Sequence, residues 1–206
     1  MARREWWLVI AAASGLALVS LASNVTTVSQ LEGQANTLLA GRLTVSQLVN
    51  AGSVWAGLAV LSGWLVRQPL AAVAAGAASL LIACVVHYGV GMVFGIFDAD
   101  VWSANRHWLL GAMIVGGPLG LVGAIARRPG PIGLVSRLVV PAGAMLEPWV
   151  LGLFFTSAVL PWPNRVADFV SGAVLSAAGM AGAVRVLAVS WKRRQASPGR
   201  LVPGEK

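Results

Sequence analysis

Cysteine is almost missing from this chain. Cys84 stands alone among 206 residues, which excludes an intrachain disulfide and a thiolate metal cluster. Histidine is nearly as scarce: there are only His87 and His107, and no third ligand stands at zinc-like spacing from them. No metal site is therefore expected, and no cofactor-binding or catalytic motif appears. Charge is the third scarcity, at 11% of residues against about 25% in soluble domains. Apolar residues fill the chain instead. They make up 57% of it, give a mean hydropathy of +0.78, and come in blocks long enough to cross a bilayer. The net charge of +8 would point to nucleic acid in a soluble protein. Here the bases sit at the ends of apolar blocks and do not interleave with aromatics, so the partner they imply is the lipid bilayer and not a nucleic acid.

The expected fold is an all-α membrane protein with six transmembrane helices, at about 6–23, 48–66, 70–94, 108–126, 134–160 and 166–191. They form a single domain over 1–191, followed by a basic cytoplasmic tail at 192–206. Arg3-Arg4 ahead of an apolar run also fits a secretory signal. The length of that run and the interfacial pair Trp6-Trp7 favour a retained first helix. Between the first two spans, Val28, Leu31, Ala35, Leu38 and Leu39 recur at helical spacing. They predict an outer interfacial amphipathic helix at about 29–41, opened by a Ser29-x-x-Glu32 capping box and closed at Gly41.

Orientation follows from the bases. Arg3, Arg4, Arg67, Arg127, Arg128, Arg137, Lys192, Arg193, Arg194, Arg200 and Lys206 fall on one side, eleven against the three (Arg42, Arg106 and Arg165) on the other. The positive-inside rule then puts both termini in the cytoplasm. An Ala/Gly/Val/Arg-rich composition fits a bacterial cytoplasmic membrane.

Two hairpins share a plan. Gly57, Leu61, Gly63, Arg67 and Pro69 recur sixty residues later as Gly117, Leu121, Gly123, Arg127 and Pro129, five identities in thirteen positions. The same offset sets His87 opposite Glu147. In a helix running to 160, Glu147 would lie roughly 15–20 Å from either end, where a carboxylate must be neutral, paired or hydrated. His87, with Tyr88 beside it, would lie at similar depth and within reach of it. Glu147, His87 and Tyr88 are thus the candidate substrate- or ion-binding residues. Asp98, Asp100, Arg106 and His107 form a candidate polar cluster in an outer loop, though Asp-x-Asp there lacks the third carboxylate of a metal site. Glycines at 89, 91 and 95, and at 172, 179 and 182, offer small faces for close helix packing or for a homo-oligomer contact.

Trp55-x-x-Leu58…Gly63, His87-Tyr88-Gly89, Gly116-Gly117-Pro118-x-Gly120 and Glu147 together resemble a family of small actinobacterial multipass membrane proteins known only as a domain of unknown function. The resemblance spans about 49–160 and implies a multipass fold without implying an activity. Three functional classes stay open: a small transporter or permease component using the intramembrane polar site; an accessory or assembly subunit working beside a membrane partner protein; and a membrane-embedded enzyme acting on a lipid through the outer cluster.

Overall fold

The computed structural model describes residues 2–195, and within them every regular element is a helix. In chain order these are α1 (Ala2–Asn24), α2 (Val28–Leu31), α3 (Asn36–Val49), α4 (Gly52–Val66), α5 (Pro69–Val93), α6 (Val101–Ala104), α7 (Arg106–Ile125), α8 (Pro131–Val150) and α9 (Trp162–Gln195). Proline starts α5 and α8, where its missing N–H costs nothing and its fixed φ suits the first turn. Arg67 ends α4 with φ 72, and Gly130 precedes α8 with φ 88, so both hairpin turns pass through backbone that favours glycine.

Five stretches are long and apolar enough to cross a membrane: Arg3–Asn24, Asn36–Val66, Pro69–Val93, Arg106–Ile125 and Trp162–Arg193. The second combines α3 and α4. The fifteen residues of α4 reach only about 22 Å, short of the ~30 Å apolar layer, so α4 alone does not cross. The broken pair together is long enough to do so. The twenty residues of α8 are not among the five; Arg137, Glu147 and internal Pro141 and Pro148 dilute its apolar character.

Three expectations change here. The interfacial helix at 29–41 is not continuous. Gly33 takes φ +74 and stops α2 after one turn, with the amides of Gln34 and Ala35 folding back onto the Ser29 carbonyl. The cap is not Ser29 with Glu32: the Gln30 side chain accepts from the Thr27 amide, and Gly41 lies inside α3. The helix expected to run to 160 ends at Val150, because Gly152 at φ +69 turns the chain out. The basic tail begins as the last turn of α9; its residues from 196 onward lie outside those described.

Packing is closest where side chains are smallest. A Cβ on Gly120 would fall on the carbonyl of Ala72, one on Gly76 on that of Gly116, one on Gly63 on that of Gly120, and one on Gly123 on that of Val60. Backbone therefore meets backbone along α5–α7 and α4–α7. In lipid, where apolar burial drives no association, such contact supplies the van der Waals gain that holds helices together. The sixty-residue repeat is visible in these contacts. Gly63 against Gly120 becomes, under the offset, Gly123 against Val60, and both contacts are made. The two hairpins thus meet through reciprocal positions of α4 and α7. Around this seam, Ala13, Ala17, Leu58, Ala59, Leu80, Ala83, Cys84 and Ala112 form the main apolar cluster.

Candidate functional site

The break between α3 and α4 brings together polar groups from several helices, among them Ser20, Asn50, His87 and Glu147. At the start of α4 the amides of Val54 and Trp55 both bond to the Ala51 carbonyl. This leaves Gly52 and Ser53 as the donors without a partner in their own helix. Both are taken by one carboxylate from another helix. Glu147, in the last turn of α8, accepts from the Gly52 amide through Oε1 at 2.5 Å and from the Ser53 amide through Oε2 at 2.9 Å. Negative charge on the positive end of a helix dipole, with two charge-assisted bonds, is a favourable pairing. A Cβ on Gly52 would meet Glu147 Oε1 at 3.4 Å, an ordinary contact, so the cap does not depend on glycine there. Ser53 is buried and, among the described residues, its hydroxyl has no partner.

His87 belongs to a neighbouring but separate network. It is 8% exposed, and its Nδ1 lies 3.1 Å from Ser20 Oγ. The amide nitrogen of Asn50 donates to the Ser46 carbonyl at 2.8 Å, which turns the Asn50 oxygen toward Ser20. The Ser20 hydroxyl donates to that oxygen at 2.6 Å. Its one proton is then spent, so the His87 contact runs from Nδ1–H to Ser20 Oγ, leaving Nε2 as the second ring nitrogen. Beyond Asn50 the network continues to Ser46 and Asn24, with Ser46 Oγ donating to Asn24 Oδ1 at 2.6 Å. An amide cannot hand a proton on, so Asn50 ends any relay that starts at His87. The imidazole is flanked by Tyr88 and Phe97 at ring-centroid distances of 5.2 and 5.6 Å, and Trp102 closes on Tyr88 at 5.8 Å. Gly91 makes this possible, because a Cβ there would overlap the Phe97 ring.

No direct hydrogen bond joins His87 to Glu147. Each has its own partner at the same break: Ser20, itself bonded to Asn50, for His87, and the amides of α4 for Glu147. Nor is Glu147 central to its helix, since α8 stops three residues later. On the α9 side, Gln47 donates to Asp168 at 2.6 Å and Arg42 to the Ser23 carbonyl at 3.0 Å. These bonds fasten α3 to α9 and to α1. Asp98, Asp100, Arg106 and His107 are all exposed. Among the described residues their side chains make no hydrogen bond to one another, and no group of three or more His, Cys, Asp or Glu could hold a metal.

Ser20, Asn50, Gly52 and Ser53 were not singled out by sequence reasoning. The available signal was the run Asn50-Ala51-Gly52-Ser53, small and polar residues interrupting an apolar block as they do at turns. No family model, no curated protein and no solved structure matches the chain.

Proposed function

We propose that this protein is a small transporter or permease component of a bacterial cytoplasmic membrane, and that its working part is the broken helix α3–α4 latched by Glu147. The observation that carries this reading is the carboxylate of one helix closing on the free N-terminal amides of another, at a break within a stretch long and apolar enough to cross a membrane. Discontinuous helices with free N-terminal amides are the usual means by which transporters meet solutes inside a membrane. Glu147 can leave those amides by rotating its side chain, whereas the glycine seam fixes α4, α5 and α7 to one another. Opening is thus confined to α3, the end of α8 and α9.

In this reading α8 is the sixth span. Both termini are cytoplasmic in it, the orientation that the eleven-to-three distribution of bases favours. The glycine seam also suits the second reading, an accessory subunit whose rigid bundle serves a membrane partner protein. Nothing in the exposed outer loop favours lipid enzymology.

Ser53→Cys, combined with Cys84→Ser, discriminates the two. The side chain at 53 is buried beside the latch. A transporter that opens there gives slow labelling by a membrane-impermeant thiol reagent in wild-type background, and fast labelling, from both membrane faces, once Glu147→Ala is added. A scaffold leaves position 53 unlabelled from the cytoplasmic face in both backgrounds, and that result would remove the transport reading.

A further inference from the structure

Two hollows in the surface share a composition and a spacing although they lie at opposite ends of the chain. One is lined by Arg3, Trp6, Trp7 and Ile10 of α1; the other by Trp162, Arg165, Val166, Phe169 and Val170 of α9, with Thr156 of the preceding loop. The members of each lie three, four and seven residues apart, so each hollow runs along one face of one helix for two turns. Each has a single exposed arginine, tryptophan beside it, and an apolar floor continuing along the helix. Among the described residues neither is lined by an acid. Glu5 lies near Arg3 in sequence but outside the hollow, and Asp168, one turn from Arg165, is engaged by Gln47.

α1 and α9 begin on opposite faces of the membrane in the six-span arrangement. We infer that these hollows are two phospholipid sites, one per leaflet. In each, the arginine holds the phosphate of an anionic lipid, tryptophan sits at headgroup level, and the acyl chain lies along the apolar face. Charge complementarity decides the occupant. An unopposed guanidinium at the head of an apolar groove fits a lipid with an anionic head and an apolar tail. It does not fit an apolar helix, which would strand the charge. The tryptophans fit the interfacial depth at which such rings concentrate, and arginine presents a planar fork suited to phosphate oxygens.

The test is native mass spectrometry of the detergent-purified full chain titrated with phosphatidylglycerol. Wild type should retain two tightly held molecules. Arg3→Ala and Arg165→Ala should each weaken retention of one, with affinity at the altered site falling about fivefold, the effect of one base near an anionic surface. Arg4→Ala and Arg106→Ala remove a neighbouring base that lines neither hollow and should leave both molecules bound. Equal losses from all four variants would mean diffuse attraction and overturn the assignment, as would no loss from any. Should an arginine variant fail to fold, Ile10→Ala and Phe169→Ala must weaken retention of long-chain more than of short-chain phosphatidylglycerol. Unchanged retention in those variants would equally refute it.

Discussion

Replacing Glu147 with glutamine would ordinarily count as a shape-conserving change, and the geometry of the α3–α4 break says otherwise. Two amides face two carboxylate oxygens, at 2.5 and 2.9 Å. A glutamine can accept one of them; its NH2 then meets the other amide donor to donor. Glu147→Ala loses both bonds. The Gly52 amide is exposed and can turn to solvent, but Ser53 is buried, and an unpaired donor there costs about 1–3 kcal/mol. With loss of the charge on the helix terminus added, Glu147→Ala should cost about 2–4 kcal/mol. Glu147→Gln should cost nearly as much. At roughly 2–4 °C per kcal/mol for a chain of this length, melting should drop on the order of 5–15 °C for both. Cys84 supplies the assay: it is the lone cysteine and buried, so a thiol-reactive fluorogenic dye reads unfolding directly. Glu147→Asp should fall between, being too short to reach both amides from α8. A glutamine variant as stable as wild type would refute the two-oxygen cap, and with it the latch.

Other consequences are as direct. Gly120→Ala places a methyl on the Ala72 carbonyl and must force α5 from α7, costing about 1–3 kcal/mol or more. Gly111→Ala on the same helix meets nothing within 4 Å and should be neutral or gain about 0.5–1 kcal/mol, so equal melting of the two variants would contradict the seam. Ser20→Ala strips the acceptor from the His87 Nδ1–H and the donor from Asn50, at about 1–3 kcal/mol for the buried imidazole. Its 15N spectrum should change from a single Nδ1–H form to a tautomer mixture; an unchanged pattern would mean that Ser20 does not set the ring. In a Cys84→Ser background, single cysteines at Asp100 and Arg165 should react with an impermeant reagent on intact cells, while those at Gln68 and Gly130 should not. Labelling at Gln68 would overturn the cytoplasmic placement of the turns.

The helices themselves were legible because a bilayer leaves few alternatives. A long apolar block must bond its own backbone, and Arg67-Gln68-Pro69 and Arg127-Arg128-Pro129 mark where two of them turn. The sixty-residue offset was legible too, and of its glycines Gly63 and Gly123 make reciprocal contacts. What misled was the treatment of depth as pairing. His87 and Glu147 occupy equivalent places in the two hairpins, yet each is satisfied by a group that no side-chain pattern reveals: a serine of the first helix, and two backbone amides of a helix start. Those amides exist only because the chain breaks at Asn50-Ala51, inside a block apolar enough to be taken as one continuous element. The ends of α2 and α8 were missed for a related reason. Gly33 and Gly152 adopt positive φ, whereas Gly41 and Gly111 sit inside helices, and glycine alone does not say which it will do.

Amide hydrogen exchange at Gly52 and Ser53, in protein reconstituted into nanodiscs, tests the latch most directly. These two donors have no partner within α4, so the part of their protection that a hydrogen bond supplies comes from Glu147. Wild type should hold both amides against exchange, and Glu147→Ala should release them by about ten- to a hundredfold, as loss of roughly 1.4–2.8 kcal/mol of local stability requires, while α5 and α7 stay as protected as before. Exchange at Gly52 and Ser53 that is fast in wild type, or equally slow without the carboxylate, would contradict the account.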